Sequence, residues 1–220
     1  MKGKNRLDRP LTQVSFTIID TETTGVNPSD GHGIIELGMV HFKDGKVFDH
    51  YSTLIRPSVP QTEEALSVHR IDPRQLEKAP RFNEIADEIT DYIGDTVIAA
   101  HNLHFDLMFL DTSLKRIGRA PLRNLGIDTI GLSQELWPRY QCHCLRCLGP
   151  ALGLDSEGSH RALEDVLATA GTLENIIREL GVQGKTRLKD LHPVREDFTW
   201  ETGAAYRRLI LRLQCALRKK

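Results

Sequence analysis

The sequence predicts an α/β fold, a mixed sheet flanked by helices, and three observations carry that prediction. An apolar run, Val14-Ser15-Phe16-Thr17-Ile18-Ile19, ends abruptly in acids, as a buried strand does where it meets a site. Two further strand-like runs lie either side of the turn signal Lys43-Asp44-Gly45-Lys46, an antiparallel meander. Beyond residue 96, short apolar runs alternate with helical periodicity, which adds parallel strands and covering helices.

Residues 14–20 form the first, central strand, and residues 34–42 the second. Residues 47–55 alternate as the third, and Pro57 and Pro60 end it. Residues 61–93 are helical in pieces, interrupted at Asp72-Pro73 and Ala79-Pro80, with Phe82, Ile85, Ile89 and Ile93 on one face. A short strand at 96–100 leads into His101-Asn102. Residues 103–117 place Leu103, Leu107, Leu110, Leu114 and Ile117 on one helical face, and Gly118 closes the helix. Ile127-Asp128-Thr129 resembles another strand end. Residues 145–154 make a short helix that Pro150 should kink or break. Residues 160–180 carry the longest helical pattern of the core, ending at Gly181.

A chain of 220 residues can bury a full core as one domain with an appendage. The expected division is a basic segment at 1–13, a central domain at 14–180 and an extension at 181–220. With 29 basic and 30 acidic residues, no global field draws the protein to polyanions, so such binding must come from local patches or bound metal. Lys2, Lys4, Arg6 and Arg9 precede no apolar stretch of signal-peptide type, and nothing approaches transmembrane length. Four unevenly placed cysteines fit reduced thiols and a cytoplasmic setting.

Asp20 and Glu22, two apart at the strand end, aim two carboxylates at one spot. Such charges repel unless a cation sits between them. Hard divalent ions prefer carboxylate oxygen and often share their sites with substrate phosphates. Thr23-Thr24-Gly25 should then turn the chain away and present backbone N–H groups beside the acids. Taken alone, the pair is equally compatible with solvated acids in a turn. Two later clusters resemble it: His101-Asn102-Leu103-His104-Phe105-Asp106 after a strand, and His160-Arg161-Ala162-Leu163-Glu164-Asp165 at a helix start.

Read together, Asp20, Glu22, Asp106 and Asp165 with His160 resemble the DEDD superfamily of 3′-to-5′ exonucleases, in its histidine branch (DEDDh). The resemblance covers roughly residues 14–180 and is nearest to the proofreading-subunit type (epsilon-type) of bacterial replicative DNA polymerase III. Asp20-Thr21-Glu22-Thr23-Thr24-Gly25 carries its first motif, and Ile34-Ile35-Glu36-Leu37-Gly38 its second strand. Glu64-Ala65-Leu66-Ser67-Val68-His69-Arg70-Ile71 resembles its nucleotide-contacting segment, with Arg70 where the family usually has glycine. The resemblance implies an RNase H-like, five-stranded mixed sheet with helices on both sides. It also implies two divalent cations, Mg2+ or Mn2+, held by Asp20, Glu22, Asp106 and Asp165, with His160 as general base toward the attacking water. Thr23, Gly25, Glu64, His69, Asn102 and Phe105 are the implied substrate contacts. The implied reaction trims single-stranded or frayed DNA 3′ ends to 5′-mononucleotides.

RNA trimming by the same site and a non-catalytic polymerase- or nucleic-acid-binding module remain the alternatives. Glu164 competes with Asp165, and only motif spacing selects between them. His101 and Asn102 are expected to orient the backbone near Asp106, and Asp128 to support it. Cys142-His143-Cys144-Leu145-Arg146-Cys147 invites a zinc reading, but no second cluster accompanies it, so packing or capping of the short helix by Cys144 and Cys147 is the expectation. From Tyr206 on, apolar residues recur at helical spacing among six uncompensated basic residues. That helix can pack on the core, dock a polymerase or other protein partner, or track nucleic-acid phosphates.

Overall fold

Strand β1 (Phe16–Thr23) is buried along its whole length, as a strand with neighbours on both edges and helices on both faces must be. The computed structural model describes residues 6–154 and 161–193. Strand β2 (Ile34–Lys43) pairs antiparallel with β1, and β3 (Lys46–Leu54) pairs antiparallel with β2. Asp44 and Gly45 between them both take positive φ, 48° and 75°, which the tight hairpin requires. β3 is largely exposed and polar, a suitable composition for an edge.

Three helices follow: α1 (Glu63–His69), α2 (Pro73–Leu76) and α3 (Phe82–Ile93). The Asp72-Pro73 interruption is a helix start, since the Asp72 carboxylate accepts the Arg74 N–H at 2.9 Å and proline suits the first turn. Strand β4 (Val97–Ala100) lies parallel to β1, and α4 (Leu103–Arg116) leaves its end. Strand β5 (Gly126–Asp128) lies parallel to β4 and leads into α5 (Thr129–Leu136). Helices α6 (Leu145–Leu152) and α7 (Ala162–Val182) complete the described fold. The sheet order is β3-β2-β1-β4-β5, the mixed five-stranded sheet flanked by helices that the sequence predicts.

Two details depart from expectation. Helix α6 runs unbroken through Pro150, which stands near its end and forfeits one backbone bond; the stop is Gly153, at φ 70°. Helix α7 continues past Gly181 to Val182, and the left-handed glycine that follows it is Gly184, at φ 75°.

Strand alternation splits the core in two. Phe16 and Ile18 face a layer holding Leu148, Val166, Leu173 and Ile176 from α6 and α7, whereas Ile19 faces Ile89, Ile93, Phe109 and Leu110 from α3 and α4. Even-numbered positions of β1 therefore meet α7, and odd ones meet α4.

Both outer segments join the first layer. Leu11, Leu188 and Leu191 are buried in it, Pro10 forms a bridge with Arg187, and Leu11 N–H donates to Thr186 O at 2.9 Å. The sequence boundaries at 13/14 and 180/181 thus fall inside one packed unit. Arg6 and Arg9 donate to backbone carbonyls of Asp95 and Gln13. Among the described residues no helix is long and apolar enough to cross a membrane. The basic helix expected at 202–220 lies outside the described residues.

Candidate active site

The period-two pattern that sends Ile18 toward α7 also sends Asp20 and Glu22 there. Both are buried, and one carboxylate oxygen from each lies within 4.8 Å of the other and of one from Asp165 in the first turn of α7. Glu164, the competing acid, is exposed. Three like charges at that separation repel by about 3 kcal/mol per pair at an effective dielectric of about 20. The donor set is all carboxylate oxygen, which fits hard divalent cations.

Asp106 reaches the same strand from the opposite side. It opens α4, and its Oδ1 accepts the Thr21 N–H at 2.9 Å and the Thr21 hydroxyl at 2.8 Å. Thr21 is odd-numbered and faces α4, so Asp106 arrives beside the acidic trio by a different route and is outside the 4.8 Å group. Its anchor, Thr21, was not singled out from the sequence. At the approach to α4, His101 Nε2 donates to His143 O at 2.7 Å, and its Nδ1 meets the Thr129 hydroxyl at 2.8 Å. Asp128 Oδ1 accepts N–H groups from Ile130 and Asn102, joining the starts of α4 and α5. Asn102 takes a left-handed φ of 90°, and its Nδ2 has no protein partner among the described residues.

What holds α7 against the sheet is a pair of residues in β2. Glu36 stands opposite Glu22 and Gly38 opposite Asp20. Any Cβ on Gly38 would fall 2.5 Å from the Ala162 carbonyl carbon, so glycine alone lets the start of α7 approach. The buried Glu36 carboxylate accepts from Arg161 Nη2 at 2.7 Å, Arg161 Nε at 3.0 and 3.2 Å, and Ala162 N–H at 3.1 Å. Asp165 N–H in turn donates to Arg161 O at 3.0 Å. Glu36 thus sets the helix start that presents Asp165. His160, one residue earlier, lies outside the described residues.

The expected substrate contacts occupy varied settings. β1 extends through Thr23 and the chain bends away from Thr24 on, as expected, but Thr24 N–H is taken by Gly33 O at 2.9 Å, so that amide is not presented beside the acids. Thr23 Oγ1 donates to Gly25 O at 2.7 Å. Gly25 lies under the His32 imidazole, where a Cβ would come within 2.5 Å. Thr62 N–H donates to Thr24 O, which ties α1 to the end of β1. Glu64 is exposed on α1, while His69 at its end is buried. His69 Nδ1 accepts the Ile71 N–H at 3.0 Å, placing the ring proton on Nε2, which has no protein partner among the described residues. Burial pushes the His69 imidazole down to about 4, against an opposing pull from the Glu36 charge. Arg70 holds φ 57°, a left-handed helix end at which glycine is unstrained. Phe105 is only 7% exposed and packs on Phe109, supporting the site from the core.

With this geometry stand the relationships of the chain. A family model described as "Exonuclease" matches residues 17–173, a span containing Asp20, Glu22, Asp106 and Asp165. The chain belongs to this exonuclease family. The exonuclease is 32% identical over 185 residues to "DNA polymerase III PolC-type" of Staphylococcus haemolyticus, covering 84% of this chain and 13% of that protein. It is similar to the structure "Exonuclease X in complex with 5' overhanging duplex DNA", with TM-score 0.64, 28% identity, and coverage of 80% of this chain and 99% of that one. The same fold recurs in "3'-end specific recognition of histone mRNA stem-loop by 3'-exonuclease", at TM-score 0.64 and 20% identity over 81% of this chain and 68% of that one. The exonuclease is therefore a member of the DEDD superfamily of 3′-to-5′ exonucleases, with the RNase H-like fold.

Proposed function

We propose that this exonuclease hydrolyses terminal phosphodiesters of DNA in the 3′-to-5′ direction, on single-stranded or frayed ends, and releases 5′-mononucleotides. The observation that carries the reading is the convergence of Asp20, Glu22 and Asp165 within 4.8 Å in a chain of this family. DNA is favoured by the kinship to a polymerase and by the DNA-bound structural relative.

In this reading Asp20, Glu22 and Asp165, with the Asp106 oxygen not engaged by Thr21, hold two divalent cations, Mg2+ or Mn2+. When bound, such ions neutralise the scissile phosphate and lower the pKa of the attacking water. Burial of Asp20 and Glu22 keeps bulk water from screening the charges that bind. His160 accepts the proton of the attacking water, its ordinary pKa of about 6.5 lying close to neutral operation. His69 Nε2 donates a hydrogen bond to the terminal nucleotide, because its imidazole is kept neutral and its other nitrogen is occupied. Asn102 offers its amide beside Asp106, Thr23 and Gly25 shape the floor, Glu64 contacts the nucleotide from α1, and Phe105 holds that floor from behind. We place the catalytic residues within 14–180, on a packed unit to which the flanking described residues also belong, and assign the basic helix expected at 202–220 to contact with a polymerase or other partner in the cytoplasm.

The test is cleavage of matched 3′-labelled substrates, namely single-stranded DNA, duplex DNA with a mismatched 3′ end, and RNA, in Mg2+ and in Mn2+. Asp20→Ala and His160→Ala should fold as wild type and lose cleavage. Undiminished cleavage in either variant refutes the assignment, and faster trimming of RNA than DNA moves the substrate.

A further inference from the structure

Away from the carboxylates, the loop between α5 and α6 brings three sulfurs together. Cys142 Sγ lies 3.2 Å from Cys144 Sγ, and Cys144 Sγ lies 3.4 Å from Cys147 Sγ. All three fall within 4.8 Å of one another, and none is in a disulfide. The expected packing or capping role does not describe them. Cys144 stands at the N-cap of α6, yet its side chain makes no capping bond, and Cys147 is exposed. Backbone turns cause the convergence: Cys147 and Leu148 N–H groups both donate to Cys144 O at 2.9 Å, folding Cys147 back over Cys144. His143 faces the other way, its Nδ1 meeting Ser133 Oγ at 3.0 Å and its carbonyl accepting from His101.

We propose that Cys142, Cys144 and Cys147 form a thiolate site for a d10 metal ion, Zn2+ foremost, separate from the carboxylate site. Zinc–sulfur bonds of about 2.3 Å in a tetrahedron put sulfurs roughly 3.8 Å apart, so the two close pairs through Cys144 have only to spread by about half an ångström. Water fills the fourth position. Binding takes Zn2+ and three thiols to a zinc tris-thiolate and releases three protons to solvent. A disulfide would use two of the sulfurs and leave the third without purpose, whereas the geometry gathers all three. Thiolates favour Zn2+ over the hard ions that suit Asp20, Glu22 and Asp165. The ion would staple a loop that is otherwise held by the His101–His143 bond and by Leu148 in the α7 core layer. It reaches the catalytic frame through those contacts.

The experiment uses the full chain, reduced and stripped of metal, titrated with Co2+ as a spectroscopic probe. The expected result is a thiolate-to-cobalt charge-transfer band at about one ion per chain, displaced by Zn2+. The band persists in Asp20→Asn, and it disappears in Cys144→Ser and in the exposed variant Cys147→Ser, whose circular dichroism matches wild type. Zn2+ raises the Tm of wild type and leaves that of Cys147→Ser unmoved. Absence of the band, its survival in both serine variants, or an internal disulfide that forms in preference to metal uptake overturns the proposal.

Discussion

Replacing Glu36 probes how the exonuclease positions α7. The Glu36 side chain is 3% exposed and that of its partner Arg161 is 48% exposed, so the pair is buried on one side only. Breaking a fully buried ion pair costs about 3–5 kcal/mol. Here water can take over the Arg161 guanidinium, which lowers the cost. Glu36→Gln keeps an oxygen for Ala162 N–H and should cost about 1–2 kcal/mol, the worth of a charge-assisted bond. Glu36→Ala also strands the buried Ala162 amide and should cost about 3 kcal/mol. Because Arg161 O receives the Asp165 N–H, loosening this start displaces the third acid of the trio, and a misplacement of about 1 Å can cost on the order of a hundredfold in rate. Urea unfolding of Glu36→Gln, Glu36→Ala, Arg161→Met and the Glu36→Gln/Arg161→Met double variant, with steady-state cleavage for each, measures both effects. The expected outcome is a coupling energy of about 1–2 kcal/mol between the two sites and a fall in kcat larger than the change in KM. Wild-type cleavage by Glu36→Ala, or a coupling energy indistinguishable from zero, refutes the positioning argument.

The remaining predictions concern the same frame. Asp165→Asn removes one of three repelling charges, so in metal-free buffer it should raise Tm while abolishing Mg2+-dependent cleavage; a lowered Tm in chelator counts against the crowded trio. His69 is held neutral in the fold, at about 4 against an ordinary 6.5. Its contribution is present above about pH 6.5 and is lost as pH falls toward 4. Chemical denaturation from pH 7 to 4 should show that loss in wild type, and the loss should diminish in His69→Gln. Gly38→Ala forces a methyl against the Ala162 backbone and should cost about 1–3 kcal/mol together with most of the cleavage. A Gly38→Ala protein as stable and active as wild type would show that α7 does not depend on that contact.

How far the site was legible depends on the range of the forces that build it. Asp20 and Glu22 are visible because strand periodicity is local, and that periodicity aims both carboxylates at one spot, where their oxygens lie within 4.8 Å of each other. Asp165 was separable from Glu164 only through the motif, and the structure supplies the physical reason: Glu164 sits on the exposed side of α7. The Glu36–Arg161 bond spans 125 positions, and the Gly38–Ala162 approach involves a backbone that no side-chain pattern encodes. Thr21 escaped notice for a similar reason, its partner Asp106 being 85 residues away. Pro150 was misjudged because its effect depends on where the helix ends, which Gly153 decides. The sulfur trio was visible as composition but not as geometry, since a turn inside 144–148 is what folds it.

The bridge between Pro10 and Arg187 has a bearing on modularity. Pro10 and Arg187 pair at one corner, so the stretch of chain between them, which holds the catalytic core, closes on itself as a loop whose two ends lie a few ångströms apart. That architecture suits a domain whose sequence kin are much longer polymerases.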